Sequence, residues 1–475
     1  MIDPPQRHRS AMRRTSLSRP IRTAIADGLI GPERTLLDYG CGLGGDVRGL
    51  RDAGIDAVGW DPVHAPTISR APAAIVNLGY VINVIENVEE RCQTLRDAYG
   101  FARELLIVSA RLTDEAPAGG GPRLADGVIT RIGTFQKFFE QQELRSWIDA
   151  TLSVKSIAAA PGIFYVFADE RTRASHLAAR QLRTREFRAA LRPMPDRSEL
   201  EPLVAFIATH GRAPNLTELP GLNAINRAAG GAARAAMLAF EHAGDIDPVR
   251  AARSEDLLVM LALARFDGRP NASAMPAVVL TDAKAFFGSY AAACAEADAE
   301  LVSLGKPGVI GDECRQAPFG KLMPTALYAA LEAVASLPRR LRLLEGCARG
   351  YVGAVPDANV VKLGIDEPTV TYLCYEPLDG VAHPALLSSV KVHLRELTVR
   401  SRRFGGRANP PVLHRKELML PQDHPRRATY ARLTAAEERH GLYDEPSAIG
   451  TRKGWEEAMA RAGVEIRGHR LLVQK

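Results

Sequence analysis

Two acids and a run of glycines near the N-terminus are the residues whose types and spacing best suit ligand chemistry. Asp38 ends a short apolar run, Gly40, Gly42 and Gly44 follow at every second position, and Asp61 ends the next apolar run. Glycine lets the backbone approach a ligand where a Cβ would clash. An acid about 20 residues further on is placed to accept hydrogen bonds from ribose hydroxyls. The pattern predicts a nucleotide-type binding turn; the alternative is a related fold that binds nothing.

The elements around these residues must form a β-α-β unit. The apolar run at 35–38 predicts a strand, 46–53 predicts a helix, and 57–60 predicts a second strand. The glycine turn then leads into the helix N-terminus, where the first backbone N–H groups have no partner within the helix. Both acids are therefore expected at the same edge of a parallel sheet.

The pattern from Asp38 to Gly44 reads D-x-G-x-G-x-G. It resembles the first motif of class I S-adenosylmethionine (SAM) methyltransferases, and Asp61 falls at the position of their second motif. The resemblance implies that SAM is the cofactor and that its amino-acid part lies near Asp38. The contacts it implies are Asp38, Gly40, Gly42, Gly44 and Asp61.

Four longer segments extend the resemblance to one family. RHRSAMRRTSLSRP, DYGCGLGGDVRGL, GWDP and NLGYVINVIEN together resemble the methyltransferases associated with DNA phosphorothioation, and the likeness continues to about residue 440. This resemblance implies a bacterial enzyme linked to DNA modification. It also implies DNA and the DNA sulphur-modification proteins as partners.

The Arg-rich N-terminus has no apolar core like that of a secretory signal, and its Arg and Ser content resembles an organelle transit peptide. Because residues 21–30 lead directly into the first domain, a cytoplasmic location is expected.

The stretch after Asp61 is too short for a complete domain of this class. Only sixteen positions separate Asp61 from Asn77, and Pro62, Pro66 and Pro72 interrupt them. A helix, a third strand and another helix need roughly twice that length. One β-α unit is therefore predicted to be shortened or missing, at the place where a third strand normally shapes the adenine pocket.

Asn77 and Tyr80 are the candidates for contact with the methyl acceptor. They follow a predicted strand at 73–79 and match the outer positions of the Asn-Pro-Pro-Tyr motif of amino-directed DNA methyltransferases. In that motif the Asn holds the target amino group and the aromatic ring stacks on a flipped base. The residues between them, Leu78 and Gly79, are not prolines, and in small-molecule methyltransferases the same stretch lines the cofactor site. Residues 80–90 are predicted to begin a helix.

Positive charge is concentrated in two stretches. The net charge is +6, yet residues 1–22 hold six arginines against one aspartate, and 391–440 holds twelve basic against five acidic residues. Localised basic stretches suit a phosphate backbone, although many are only solvated surface. The predicted nucleic-acid contacts are Arg13, Arg14, Arg402, Arg403, Arg415 and Lys416.

The whole chain is expected to form three regions, the first of which contains the glycine motif. The α/β chain is predicted to contain a Rossmann-like methyltransferase domain at 1–170 and a helical domain at 171–345. A mixed α+β basic domain is predicted at 346–475. Residues 198–240 resemble a helix-turn-helix, whose second or third helix enters a major groove; three short helices are also a common scaffold without that role.

Local patterns within the last two regions predict particular elements. A core helix is expected at 322–335. Alternation predicts strands at 360–363, 370–375, 390–397 and 397–402.

Several kinds of site are disfavoured by composition. The six cysteines include no C-x-x-C pair, which argues against a zinc ribbon or a disulfide framework. No apolar run approaches the roughly 18 residues of a membrane span. One C-terminal cluster has residue types that suit metal or phosphate chemistry: His414, Arg415, Lys416 and Glu417, with Asp379, His383 and Lys391. These residues are not spaced like a known metal motif. No metal is therefore expected.

Two alternatives to a DNA-directed methyltransferase remain open. One is a non-catalytic, DNA-binding accessory protein on a methyltransferase-like fold. The other is a small-molecule or RNA methyltransferase. Methyl transfer needs little beyond positioning of the nucleophile in line with the methyl group, so an active methyltransferase need not contain a catalytic triad.

Overall fold

The structure is a computed structural model that describes residues 7–117, 121–181 and 198–473. The chain divides into two compact units. The first is formed by Met1–Ala168 together with Pro307–Lys475, and the second by Asp169–Lys306. None of the described helices is long and apolar enough to cross a membrane.

The N-terminal part of the first unit is built on a six-stranded sheet. Its strand order is β2-β1-β3-β4-β9-β8, in which the first four strands are parallel and β9 is antiparallel to both of its neighbours. The elements are α1 (Arg19–Ala26), β1 (Leu36–Tyr39), α2 (Gly45–Asp52), β2 (Ala57–Trp60), β3 (Ala73–Gly79), α3 (Val88–Phe101), β4 (Ala102–Ser109), β5 (Arg123–Leu124), β6 (Gly127–Ile129), β7 (Phe135–Gln136), α4 (Gln141–Leu152), β8 (Ile157–Ala160) and β9 (Ile163–Phe167).

The central strands are apolar on both sides. Ile75 and Val76 point to opposite faces of β3, and both are at most 1% exposed. Such a strand reads as a continuous hydrophobic run because helices cover the two faces of a parallel sheet. The order β1, glycine turn, α2 and β2 confirms the predicted strand–turn–helix–strand unit, and α2 begins directly after the turn.

The shortened β-α unit is confirmed. Residues 61–72, all of which are described, contain no helix and no named strand, and β2 is left at the sheet edge. The loop instead folds back over this edge. The guanidinium carbon of Arg70 lies 4.5 Å from the Trp60 ring centroid, and its Nη1 donates to the Tyr39 phenol oxygen (3.1 Å).

The second unit is helical in its described part. Its helices are α5 (Glu170–Gln181), α6 (Glu201–His210), α7 (Leu222–Ala228), α8 (Ala232–His242), α9 (Asp247–Ala264), α10 (Ala277–Phe287) and α11 (Tyr290–Ser303).

The helices of residues 198–240 differ in detail from those of the predicted helix-turn-helix. Residues 217–219 are not helical, and residues 224–240 belong to two separate helices, α7 and α8. The division follows from Gly230 and Gly231, whose φ angles of +83° and +131° are incompatible with a continuing helix. The buried Arg212 holds the preceding turn by pairing with Glu218 and Asp282. A contact with DNA here stays a prediction.

The C-terminal part of the first unit contains a second six-stranded sheet. The strands run antiparallel in chain order from β10 to β15. The elements are α12 (Val309–Gln316), β10 (Lys321–Met323), β11 (Ala326–Ala330), α13 (Arg339–Val352), β12 (Val360–Gly364), β13 (Thr369–Tyr375), β14 (Leu386–His393), β15 (Thr398–Arg403), α14 (Arg427–Arg439), α15 (Arg452–Ala462), β16 (Val464–Arg467) and β17 (Arg470–Val473).

The helix predicted at 322–335 is wrong. This segment forms β10, β11 and a short 3-10 turn, Leu331–Ser336. Ala and Leu favour helix locally, but β11 pairs along its whole length with β12, and this long-range pairing overrides the local preference. The strands expected at 360–363 and 370–375 are confirmed.

The two sheets of the first unit are joined through α13 and β8. Ala354 N–H donates to the Ala159 carbonyl (2.7 Å), and the Gln141 amide donates to the Tyr351 carbonyl (3.2 Å). Gly353 has φ +80°, and a Cβ there would lie 2.2 Å from the Ala160 nitrogen. Only glycine fits this close approach.

Candidate functional site

A cavity of about 770 Å³ opens beyond the carboxyl ends of β1, β2 and β3. Its volume is in the range of about 300–1,000 Å³ that is usual for ligand sites. Gly44 and the C-terminal candidates are not among its lining residues. The sequence-predicted residues that line it are Arg13, Arg14, Asp38, Gly40, Gly42, Asp61, Asn77 and Tyr80.

The three glycines are required by the backbone of the turn itself. Gly40, Gly42 and Gly44 have φ angles of +87°, +50° and +69°, a region that other residues adopt only with strain. The N–H groups of Gly40 and Cys41 both donate to the Trp60 carbonyl (2.7 and 3.0 Å). The turn is therefore tied to the end of β2.

Asp61 closes the turn from the neighbouring strand. Its carboxylate accepts the N–H groups of Gly42 (3.0 Å), Val63 (2.9 Å) and His64 (2.8 Å). An ionised carboxylate offers about four lone-pair positions, so one remains for a ligand hydroxyl. Asp61 thus combines a structural role with capacity for one further donor.

Asp38 is a buried carboxyl at the end of β1. It is 4% exposed, and its Oδ1 accepts from the Asn77 Nδ2 (2.8 Å). Burial raises the pKa of Asp38 to about 7, although the hydrogen bond from Asn77 opposes the increase. Near neutral pH the group is divided between its two protonation states, and a cationic ligand beside it favours the ionised form.

Two buried amide oxygens in the cavity wall have no partner among the described residues. Asn77 and Asn83 are each 1% exposed, and within this part of the chain the Oδ1 atom of each lacks a hydrogen bond. A buried acceptor without a donor is costly, and a ligand that carries N–H or O–H groups satisfies it. Together with the Asp38 carboxyl and the Asp61 lone pair, these acceptors fit a ligand with ammonium and hydroxyl groups.

The helix predicted from residue 80 does not form there. Tyr80 has φ +61°, and its N–H donates to the Ser109 carbonyl (3.0 Å). The helix begins only after Asn87, whose side chain accepts from the N–H groups of Glu89 and Glu90. This Asn-x-x-Glu cap was the signal in the sequence that marks the true start.

Arg91 holds the irregular segment 80–87 against the cavity. Its side chain is 2% exposed. Its guanidinium donates twice to the Ile85 carbonyl (3.0 and 2.6 Å) and pairs with both Asp126 oxygens (2.7 and 3.0 Å). The Asn83 carbonyl accepts from the Lys137 N–H (2.8 Å). These contacts position Asn83 in the cavity wall.

An N-terminal arm, residues 7–18, lies against the glycine turn and α2. A Cβ on Gly42 would lie 3.2 Å from the Ala11 Cβ, one on Gly45 would lie 3.1 Å from the Arg14 Cβ, and one on Gly49 would lie 2.8 Å from the Leu17 Cδ2. Gly45 and Gly49 are not among the residues predicted to contact the cofactor. Their lack of a side chain lets the arm approach α2 closely.

Polar contacts hold both ends of this arm. The Ser18 N–H donates to the Asp46 Oδ1 (2.7 Å). At the other end the Arg7 guanidinium pairs with Glu86 (2.8 Å) and Glu90 (2.5 Å), and this contact lowers the pKa of Glu86. Residues of the arm form one wall of the cavity.

The C-terminal basic candidates are separated from one another. Arg402 and Arg403 are exposed at the end of the edge strand β15. Arg415 pairs with Glu438 (2.6 Å).

Lys416 is not presented to solvent. It is 4% exposed, and its ammonium donates to the carbonyls of Leu378 (2.6 Å) and Val381 (2.7 Å). Burial lowers the pKa of Lys416 to about 8. A phosphate backbone cannot reach this side chain in the described arrangement.

The histidines of this region pack around Trp455. The His383 Nε2 lies 2.7 Å from the Glu437 Oε1, and the His414 Nε2 donates to the Ile449 carbonyl (2.8 Å). Burial lowers the pKa of His414 to about 3, which keeps the ring neutral. Within the described residues there is no group of three or more His, Cys, Asp or Glu side chains arranged to hold a metal ion.

No family model matches the chain, and no curated protein does. One similar solved structure is the 1,6-didemethyltoxoflavin-N1-methyltransferase of Burkholderia thailandensis, with bound 1,6-didemethyltoxoflavin and S-adenosylhomocysteine. It has 12% identity and a TM-score of 0.24, covering 34% of this chain and 76% of that chain. Another is an O-methyltransferase family protein from the same organism, with 13% identity and a TM-score of 0.21, covering 31% of this chain and 55% of that chain. At this level neither structure bears on what this chain binds.

Proposed function

We propose that the first unit binds SAM and transfers its methyl group to an acceptor in the cavity. The observation that carries this proposal is the convergence of Asp38, Asn77 and Asp61 at the cavity, with acceptor atoms left for a ligand. SAM carries an ammonium group and ribose hydroxyls, which are suitable donors for Asp38 and Asp61, and the Asn77 oxygen is left for the methyl acceptor. The motif resemblance supports the same assignment.

Each residue has a role that follows from its surroundings. The remaining lone pair of Asp61 accepts from a ribose hydroxyl, and the ionised Asp38 faces the ammonium. Since the third strand is missing, loop residues Pro62, Val63 and His64, which line the cavity, take its place beside the adenine. SAM itself supplies an electrophilic methyl group on a sulfonium.

Asn77 and Tyr80 face the acceptor in this proposal. The free Oδ1 of Asn77 accepts from an acceptor N–H or O–H, and the Tyr80 ring, which lines the cavity, offers a flat surface for a planar acceptor. Their task is to orient the nucleophile toward the methyl carbon, because orientation supplies most of what such a transfer needs.

Calorimetric titration with SAM tests the cofactor site. We expect saturable binding that Asp61→Ala weakens about tenfold or more, since a hydrogen bond to a charged group contributes about 1.5–3 kcal/mol. Asp52→Ala is the matched control, because Asp52 is an exposed acid at the end of α2 that does not line the cavity. Tryptophan fluorescence checks that each variant keeps the fold of the first unit. No binding by the parent protein would exclude the proposal.

We further propose that DNA is the acceptor and that the DNA sulphur-modification proteins are partners. The family resemblance and the exposed Arg402 and Arg403 support this assignment. Labelled methyl groups should enter duplex DNA. Binding of the protein to duplex DNA should weaken steeply as the salt concentration rises. It should also weaken in the double variant Arg402→Ala with Arg403→Ala, but not in Arg461→Ala.

The two alternatives give different results in the same assays. Salt-sensitive DNA binding without methyl transfer identifies a non-catalytic accessory protein. Label that survives nuclease treatment and stays with a metabolite identifies a small-molecule methyltransferase, and label in RNA identifies an RNA methyltransferase. Co-purification of the chain with DNA sulphur-modification proteins tests the proposed partners.

A further inference from the structure

Three arginines reach the cavity around Tyr80. Arg14 comes from the N-terminal arm, Arg19 from the first position of α1, and Arg111 from the segment after β4; all three are half-buried and line the cavity. The guanidinium carbon of Arg14 lies 5.8 Å from the centroid of the Tyr80 ring. The acid on this side is Glu115, whose carboxylate accepts from the Leu112 N–H (3.3 Å).

These guanidinium groups form no close ion pair in the part of the chain that the structure describes. Within the described residues, no side-chain hydrogen bond or ion pair is formed by Arg14, Arg19 or Arg111, whereas Arg7 in the same cavity wall is paired with Glu86 and Glu90. Gathering half-buried cations without anions is unfavourable. A planar guanidinium with free N–H groups matches the two oxygens of a carboxylate or phosphate.

The negative charge of SAM is too small to pair with all three arginines. SAM has one carboxylate, against a positive ammonium and a positive sulfonium. The charge of Arg14 acts on Asp38, the proposed partner of the ammonium, so we assign Arg14 to the SAM carboxylate. One carboxylate engages one guanidinium in a bidentate pair, which leaves Arg19 and Arg111 for a second anion.

We infer that the methyl acceptor carries an oxyanion, a phosphate or a carboxylate, which Arg19 and Arg111 hold beside Tyr80. This inference rests on the proposed function, because it assigns the second anion to the acceptor of the same cavity. A planar acceptor on the Tyr80 ring, with its anionic group turned toward the two arginines, would present its nucleophile on the side of Asn77. Binding of the acceptor then requires the anionic group, and neutral analogues of the acceptor should bind more weakly.

Calorimetry with phenyl phosphate and phenol as probes tests the inference. The full chain is first saturated with S-adenosylhomocysteine. Phenyl phosphate should then bind at least tenfold more tightly than phenol, which has the same ring without the anion. Arg111→Ala and Arg19→Ala should each weaken phenyl phosphate about tenfold or more, and Arg111→Lys should retain part of the affinity. Arg48→Ala is the control, because Arg48 is exposed and does not line the cavity.

The outcomes separate this inference from the proposed function. Equal affinity for phenol and phenyl phosphate, or unchanged affinity in both arginine variants, overturns the inference. Arginine-dependent binding of phenyl phosphate in a protein that does not bind S-adenosylhomocysteine supports the anion site while rejecting the cofactor. Competition by a short oligonucleotide, but not by deoxythymidine monophosphate, identifies a polynucleotide as the source of the anion; the reverse identifies a small molecule.

Discussion

Replacing Asp38 by Asn should change how the stability of the first unit depends on pH. The pKa of Asp38 is raised by burial from 3.8 to about 7 in the folded protein. The folded state therefore holds the proton more tightly than the unfolded state does. The stability associated with the neutral carboxyl is fully present below about pH 4 and is lost as the pH rises to about 7.

The magnitude follows from the same two pKa values. A tenfold change in proton affinity corresponds to about 1.4 kcal/mol, so the full effect is about 4 kcal/mol. About 3 kcal/mol of it falls between pH 5 and pH 8. Because Asn does not titrate, the free energy of unfolding of Asp38→Asn, relative to the parent protein, should rise by about 3 kcal/mol over this interval.

Urea unfolding followed by tryptophan fluorescence measures this difference. All three tryptophans, Trp60, Trp147 and Trp455, lie in the first unit, so the signal does not report on the helical unit. A difference between variant and parent that stays constant from pH 5 to pH 8 would refute the reasoning. Saturating S-adenosylhomocysteine should reduce the pH dependence of the parent, since its ammonium stabilises the ionised Asp38.

Two further perturbations test how the cavity walls are held. Gly42→Ala should speed tryptic cleavage in the N-terminal arm, because the added Cβ meets the arm at 3.2 Å; Gly44→Ala, with a similar positive φ but no arm contact, should not. Arg91→Met should destabilise the first unit by about 2 kcal/mol, because it leaves the buried Ile85 carbonyl without its charged donor. Arg96 is exposed on the same helix, so Arg96→Met should change the free energy of unfolding by about 0.5 kcal/mol or less. Similar cleavage rates in the two glycine variants, or similar urea midpoints in the two arginine variants, would contradict these expectations.

Residue types and their spacing were enough to predict the local arrangement around the glycine turn. Asp38, the glycines and Asp61 are separated by one short helix, so their spacing fixes a β-α-β unit and the edge at which both acids lie. Counting the residues between Asp61 and Asn77 was also enough to predict the missing unit, because chain length limits what twelve loop residues, 61–72, can form.

Contacts between distant residues decided the rest. Residues 326–330 are a strand because β12 pairs with them, and Lys416 is buried because carbonyls more than 30 positions away receive its ammonium. Segment 80–87 is irregular because Arg91 and the Asn87 cap hold it. Spacing encodes the contacts within one turn or one β-α-β unit. The grouping of Pro307–Lys475 with Met1–Ala168, and the approach of the arm to Gly45 and Gly49, depend on surfaces that meet only when the whole chain is folded.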